Sequence, residues 1–192
     1  MSDTLPISRP PVPPVLIAGI GNLLLQDDGF GPQAIARLQA EHEFGPEVEL
    51  LDMGTPTLDF VDYLEGRNVV ILLDALSCGA EPGALLTYSH EQLREHVPGM
   101  RLSAHQPCLQ ETVHAAETAG MKFEEFVLVG VVGKNFDVGT DLSQEVSQAM
   151  PGALELVASL LVRHGIEAQR RAYPLAINAW WANKPAHSRT LG

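Results

Sequence analysis

From Val15 onward, short apolar runs alternate with longer amphipathic stretches. Val15 to Ile20 carries no polar residue and stops at Gly21-Asn22, which predicts a buried strand. Residues 29–43 then place Phe30, Ala34, Ile35 and Leu38 on one helical face. Val48 to Leu51 predicts a second strand, ending at Asp52-Met53-Gly54, and residues 57–64 predict a helix. Val69 to Leu73 is all branched aliphatic, as a strand covered on both faces requires. Residues 83–88 predict another strand, after which the chain reads as irregular. Pro107 then opens a helix that turns Leu109, Val113 and Ala116 inward and closes at Gly120. Phe126 to Val132 is the last strand. Residues 142–164 form a helix with Val146, Met150, Leu154, Val157 and Leu161 inward, which Pro151 is expected to kink or divide.

Strands alternating with helices of these lengths predict the α/β class: a three-layer α/β/α sandwich around a mainly parallel central sheet of about five strands. Residues 15–167 form a single domain on this reading. Residues 1–14, with five prolines, read as a flexible leader. Residues 168–192 read as a basic extension: no acid follows Glu167, whereas Arg170, Arg171, Lys184, Arg189, Trp180 and Trp181 all do. Either its tryptophans cover an apolar patch or it reaches out to a partner protein.

Composition narrows the function. With 45% hydrophobic and 19% charged residues among 192, the chain has enough apolar matter for one real core. A formal charge of −12 argues against nucleic acid as a partner, because phosphate-backbone binding needs clustered cations. No apolar run approaches the ~20 residues of a spanning helix, so no membrane partner is expected. Met1 to Pro14 has no apolar core of a signal peptide, and Cys78 and Cys108 give neither a disulfide framework nor a CxxC pair. A reducing cytoplasm fits both facts.

In open parallel sheets, ligands gather beyond the carboxyl ends of the strands. The sequence places three polar groups there: Asp27-Asp28 after the first strand, Asp74 directly after Leu73, and His105 in the loop before Pro107. Two carboxylates and an imidazole suit a borderline divalent metal and leave coordination positions open, too few for a closed structural zinc site. Singly, each has an ordinary explanation. Asp27 or Asp28 would cap a helix beginning at Gly29, Asp74 would mark where a strand surfaces, and His105 would be a solvated loop residue. Other motifs fail. The third glycine of a dinucleotide fingerprint falls at Leu24, and the second histidine of H-E-x-x-H falls at Arg94.

The run Gly19-Ile20-Gly21-Asn22-Leu23-Leu24-Leu25-Gln26-Asp27-Asp28-Gly29-Phe30-Gly31 resembles the opening signature of the nickel–iron hydrogenase maturation endopeptidases. Leu51-Asp52-Met53-Gly54-Thr55, Leu72-Leu73-Asp74-Ala75, Ser103-Ala104-His105-Gln106 and Leu128-Val129-Gly130-Val131-Val132 follow in the family's order, so the resemblance covers about residues 15–165. It implies a phosphorylase/hydrolase-like fold and a protease that removes the C-terminal extension of the hydrogenase large-subunit precursor after nickel insertion. The family's metal-binding and catalytic positions match Asp28, Asp74 and His105. The resemblance also implies nickel supplied by the substrate, with other divalent metals able to occupy the site, and a monomer. Asn22, Asp27, Gly54, Thr55 and Gln106 are weaker cleft candidates. Two departures stand out: Asp28 is a shorter arm than the glutamate common there, and Gly133-Lys134-Asn135 replaces a Pro-Glu element. A peptidyl-tRNA-hydrolase-like enzyme and a non-catalytic nucleotide-binding module are the competing expectations.

Overall fold

The apolar runs assemble into one five-stranded sheet. A computed structural model describes residues 12–56, 58–95, 106–177 and 181. In chain order its elements are β1 (Val15–Ile20), α1 (Phe30–Glu41), β2 (His42–Glu43), β3 (Val48–Gly54), β4 (Val69–Leu76), β5 (Leu85–Ser89), α2 (His90–Arg94), α3 (Gln106–Thr118), β6 (Glu125–Val132), α4 (Gln144–Val162) and β7 (Gln169–Arg170). Two 3-10 turns, Gln26–Gly29 and Leu58–Leu64, complete it. The sheet order is β3-β1-β4-β6-β5, parallel throughout except for the antiparallel edge strand β5.

Two apolar layers sandwich this sheet. On one face Phe30, Ile35 and Leu38 of α1 and Met150, Val157 and Leu161 of α4 pack on Ile17, Ile71 and Val129. On the other, Phe60, Leu64, Leu93, Leu109 and Val113 pack on Leu16, Leu72 and Leu128. The central strands β1 and β4 are buried along their whole length, which is why their sequences show no alternation.

Several expectations need correction. β4 runs on through Asp74 to Leu76, because β6 continues the ladder as far as Val132; Asp74 lies inside the strand. The helix expected over 57–64 is a 3-10 turn. The segment after β5 opens with a short helix, α2, started by a capping box in which Ser89 and Gln92 satisfy each other's backbone N–H. Pro151 does not divide α4, which is one helix of 19 residues; its side chain lies on the exposed face, clear of the core. Neither Asp27 nor Asp28 caps α1, whose N-cap is Gly29 without a side-chain hydrogen bond.

The described residues nearest the two ends of the chain are tied to the domain by hydrogen bonds. Residues 12–14 are held where Arg67 donates to Pro13 O and the Pro14 carbonyl accepts from Asn68 and Val69. At the other end β7 pairs antiparallel with β2, Arg171 N donates to Glu41 O, and Leu175 N donates to Ala40 O. An Arg171–Glu43 ion pair fastens the same segment. Residues 168–177 therefore follow the end of α1. Trp180 lies outside the described residues.

Candidate active site

The carboxyl rim of the sheet is built by glycines that let backbone meet backbone. A methyl group added at Gly31 would collide with Ile20 O, at the end of β1, and with Leu73 O, in the carboxyl half of β4. One at Gly19 would collide with Gly31 O, and one at Gly21, where φ is +137°, with Asp28 O. Without side chains at these positions, the start of α1 sits directly on the ends of both central strands. Asp28, just before Gly31, and Asp74, just after Leu73, are thereby delivered to the same rim.

Both carboxylates are buried, 4% exposed for Asp28 and 1% for Asp74. Each is oriented by a main-chain donor: Asn22 N–H to Asp28 Oδ2 at 2.9 Å, and Ala75 N–H to Asp74 Oδ1 at 2.8 Å. Buried carboxylates held in this way are suited to cation binding or to proton transfer.

His105 lies outside the described residues, but the helix that follows it has a clear direction. Glu117, near the end of α3, faces His90, and Ser89 beside it registers with Val127 near the amino end of β6. Glu124 N donates to Asn68 O, just before β4 begins. α3 therefore ends at the amino side of the sheet. Running back along it for 13 residues, about 20 Å, it begins toward the carboxyl rim at Gln106.

Asp27 proves to be a structural clasp instead of a cleft residue. It is fully buried, and its carboxylate accepts three backbone N–H groups: Lys134 at 2.8 Å, Asn135 at 2.9 Å and Ser143 at 2.6 Å. Those donors sit 107 to 116 residues further along, so no local pattern announces them. The clasp laces the 133–143 loop to the 22–28 loop, helped by Gln33 Nε2 donating to Thr140 O and by Gly139 pairing with Leu25. The replaced Pro-Glu element is thus anchored here through Lys134 and Asn135. The Lys134 ammonium also hydrogen-bonds Glu145, at 2.6 Å, and holds its carboxyl below the usual range.

The weaker cleft candidates divide. Asn22 is half-buried and folds its Oδ1 back onto Leu24 N. Gly54, with φ +55°, accepts from Gly21 N through its carbonyl, and Thr55 beside it is exposed; both border the rim. The Gln106 side chain lies outside the described residues. Among the described residues, no three His, Cys, Asp or Glu side chains cluster at metal-binding spacing. A cavity of about 1250 Å³ lined by His90, Phe123 and Phe126 opens at the opposite, amino end of the sheet and contains neither carboxylate.

The fold is an α/β domain with two buried carboxylates on the carboxyl side of its sheet, and comparisons with known proteins give its family. The hydrogenase maturation endopeptidase HybD of Escherichia coli superposes with a TM-score of 0.74 at 26% identity, over 82% of this chain and 97% of that one. The hydrogenase expression/formation protein HupD of Bradyrhizobium diazoefficiens is 32% identical over 84% of this chain and 85% of its own. The HupD of Rhizobium leguminosarum is 30% identical over 92% and 88%. The family model described as hydrogenase maturation protease matches residues 32–160. The chain belongs to the hydrogenase maturation protease family.

Proposed function

We propose that this protein is the endopeptidase that removes the C-terminal extension of a nickel–iron hydrogenase large-subunit precursor once nickel has been inserted. The observation that carries the reading is the convergence of Asp28 and Asp74, both buried and both held by backbone donors, on one rim. Family membership supplies the substrate class and displaces the tRNA-hydrolase-like and nucleotide-binding readings.

On this reading Asp28, Asp74 and His105 recognise nickel already bound in the precursor, and the metal belongs to the substrate. Two carboxylates and one imidazole leave positions for ligands from the substrate itself. A precursor without metal offers no coordination bond, so its scissile peptide is not positioned. When the metal is engaged it polarises the scissile carbonyl, and either it or one carboxylate activates the attacking water. A cytoplasmic monomer completes the reading; among the described residues no helix is long and apolar enough to cross a membrane.

The test is cleavage of nickel-loaded precursor by Asp28→Ala, Asp74→Ala and His105→Ala. Each should lose at least ~10–100-fold in rate, the scale of losing a group that supports a metal site. Wild-type activity in all three would overturn the assignment.

A further inference from the structure

The C-terminal extension builds one wall of a trough along a flank of α1. Pro32, Ile35, Ala36 and Ala40 form the other wall, and Leu175, Ile177 and Trp181 face them across about 400 Å³. That volume is in the range of small binding clefts, ~300–1,000 Å³. Its extension wall is held in place by the β2–β7 pairing and by Leu175 N donating to Ala40 O. Even so, Leu175 and Ile177 remain 55% and 40% exposed. Apolar side chains fastened in position yet left in water are a cost to the free protein unless something covers them.

The trough ends beside residues that border the rim. Its upper end is Pro32 and Asp52. The Pro32 ring lies against Gly21, 3.6 Å from where a methyl there would sit, and Gly21 N donates to Gly54 O. Asp52 accepts from Gly54 N at 2.9 Å. Pro32 is also one helical turn beyond Asp28. Gly54 has open space where a side chain would stand and lies next to Asp52, so it is the side on which a bound chain would approach the trough. The extension wall lies beyond residue 160, where the family match ends.

We propose that this trough is a specificity site that takes an extended, apolar segment of the precursor adjoining the one being cleaved. The inference rests on the processing activity proposed above. Covering Leu175, Ile177 and Trp181 on substrate binding stabilises the complex without touching the reacting atoms. The effect is therefore on substrate affinity: the extension selects which precursor is held.

The experiment compares wild type, Ala36→Trp and Leu175→Asp on nickel-loaded precursor. Ala36→Trp fills the trough from the half-buried face of α1; Leu175→Asp puts a charge into it from an exposed position, where folding is least at risk. Both should raise KM about tenfold or more with kcat within about twofold, the scale expected for lost contacts in an apolar pocket. Wild-type KM in Leu175→Asp, with melting unchanged, would overturn the trough while leaving the protease assignment intact. A fall in kcat with unchanged KM in that variant would also overturn it. Absence of cleavage by wild type would instead strike the processing activity itself. Removing residues 182–192 separates the remaining occupant: if that lowers KM and abolishes the Leu175→Asp effect, the protein's own tail fills the trough and the proposal fails.

Discussion

At the scale of single residues, Asp27 and Asp28 are neighbours with opposite employment. Asp27 is buried and holds Lys134, Asn135 and Ser143 by their backbone N–H groups, so its removal takes the acceptor from three part-buried donors. Asp27→Ala should cost on the order of 3 kcal/mol, because hydrogen bonds to a charged acceptor are strong and three are lost together. For a chain this long that is roughly a 10 °C fall in melting temperature. Asp28, whose carboxylate accepts from Asn22 N, sits on the rim instead, and in Asp28→Ala it is the cleavage rate that should collapse. Thermal melts and single-turnover cleavage of the two variants decide this; a reversed pattern would exchange the roles. The sequence shows the Asp-Asp pair and its position after β1. It cannot show which acid faces the loop, because the partners of Asp27 are more than 100 residues away.

At the scale of elements, the decisive contact is α1 on the ends of β1 and β4. The glycines at 19, 21 and 31 were visible as a motif, but only the geometry shows them as close approaches of backbone to backbone. Gly31→Ala should push α1 off the strand ends, at about 1–3 kcal/mol. It should also lower activity by ~100-fold, since a 1 Å misplacement of a catalytic group has that effect. Wild-type cleavage by Gly31→Ala would contradict this account of the rim. The β2–β7 pairing carries a pH dependence. Burial, against the opposing influence of Glu41 and with a lesser contribution from Arg170, pulls the His42 imidazole below the ordinary histidine pKa of about 6.5. Neutral His42 is the form the fold favours, so its contribution is full above pH 6.5 and is lost as pH falls through the lower folded value. Amide exchange at residues 169–175, corrected for intrinsic rates, should be faster at pH 5 than at pH 8, and His42→Gln should flatten the difference. An unchanged difference in the variant would place the titrating group elsewhere. This pairing was not legible, because strands of two residues carry no periodicity.

At the scale of the whole molecule, the sheet was the most legible part. Runs such as Val69 to Leu73 and Phe126 to Val132 have to be buried on both faces, and buried parallel strands bring their carboxyl ends to one rim. What the pattern missed lies at the edges. The extension stands out in the sequence by its charge and its tryptophans, and in the structure residues 168–177 are fastened along α1 by contacts to Ala40, Glu41 and Glu43. In the function proposed above, clasp and glycine contacts fix a rim of acids that would read a metal carried by the precursor. Purified protein incubated with nickel-loaded and nickel-free precursor, with cleavage followed over time, tests it most directly. Rapid cleavage of the loaded precursor with the metal-free one left intact is the predicted result. Equal cleavage of both would contradict the account.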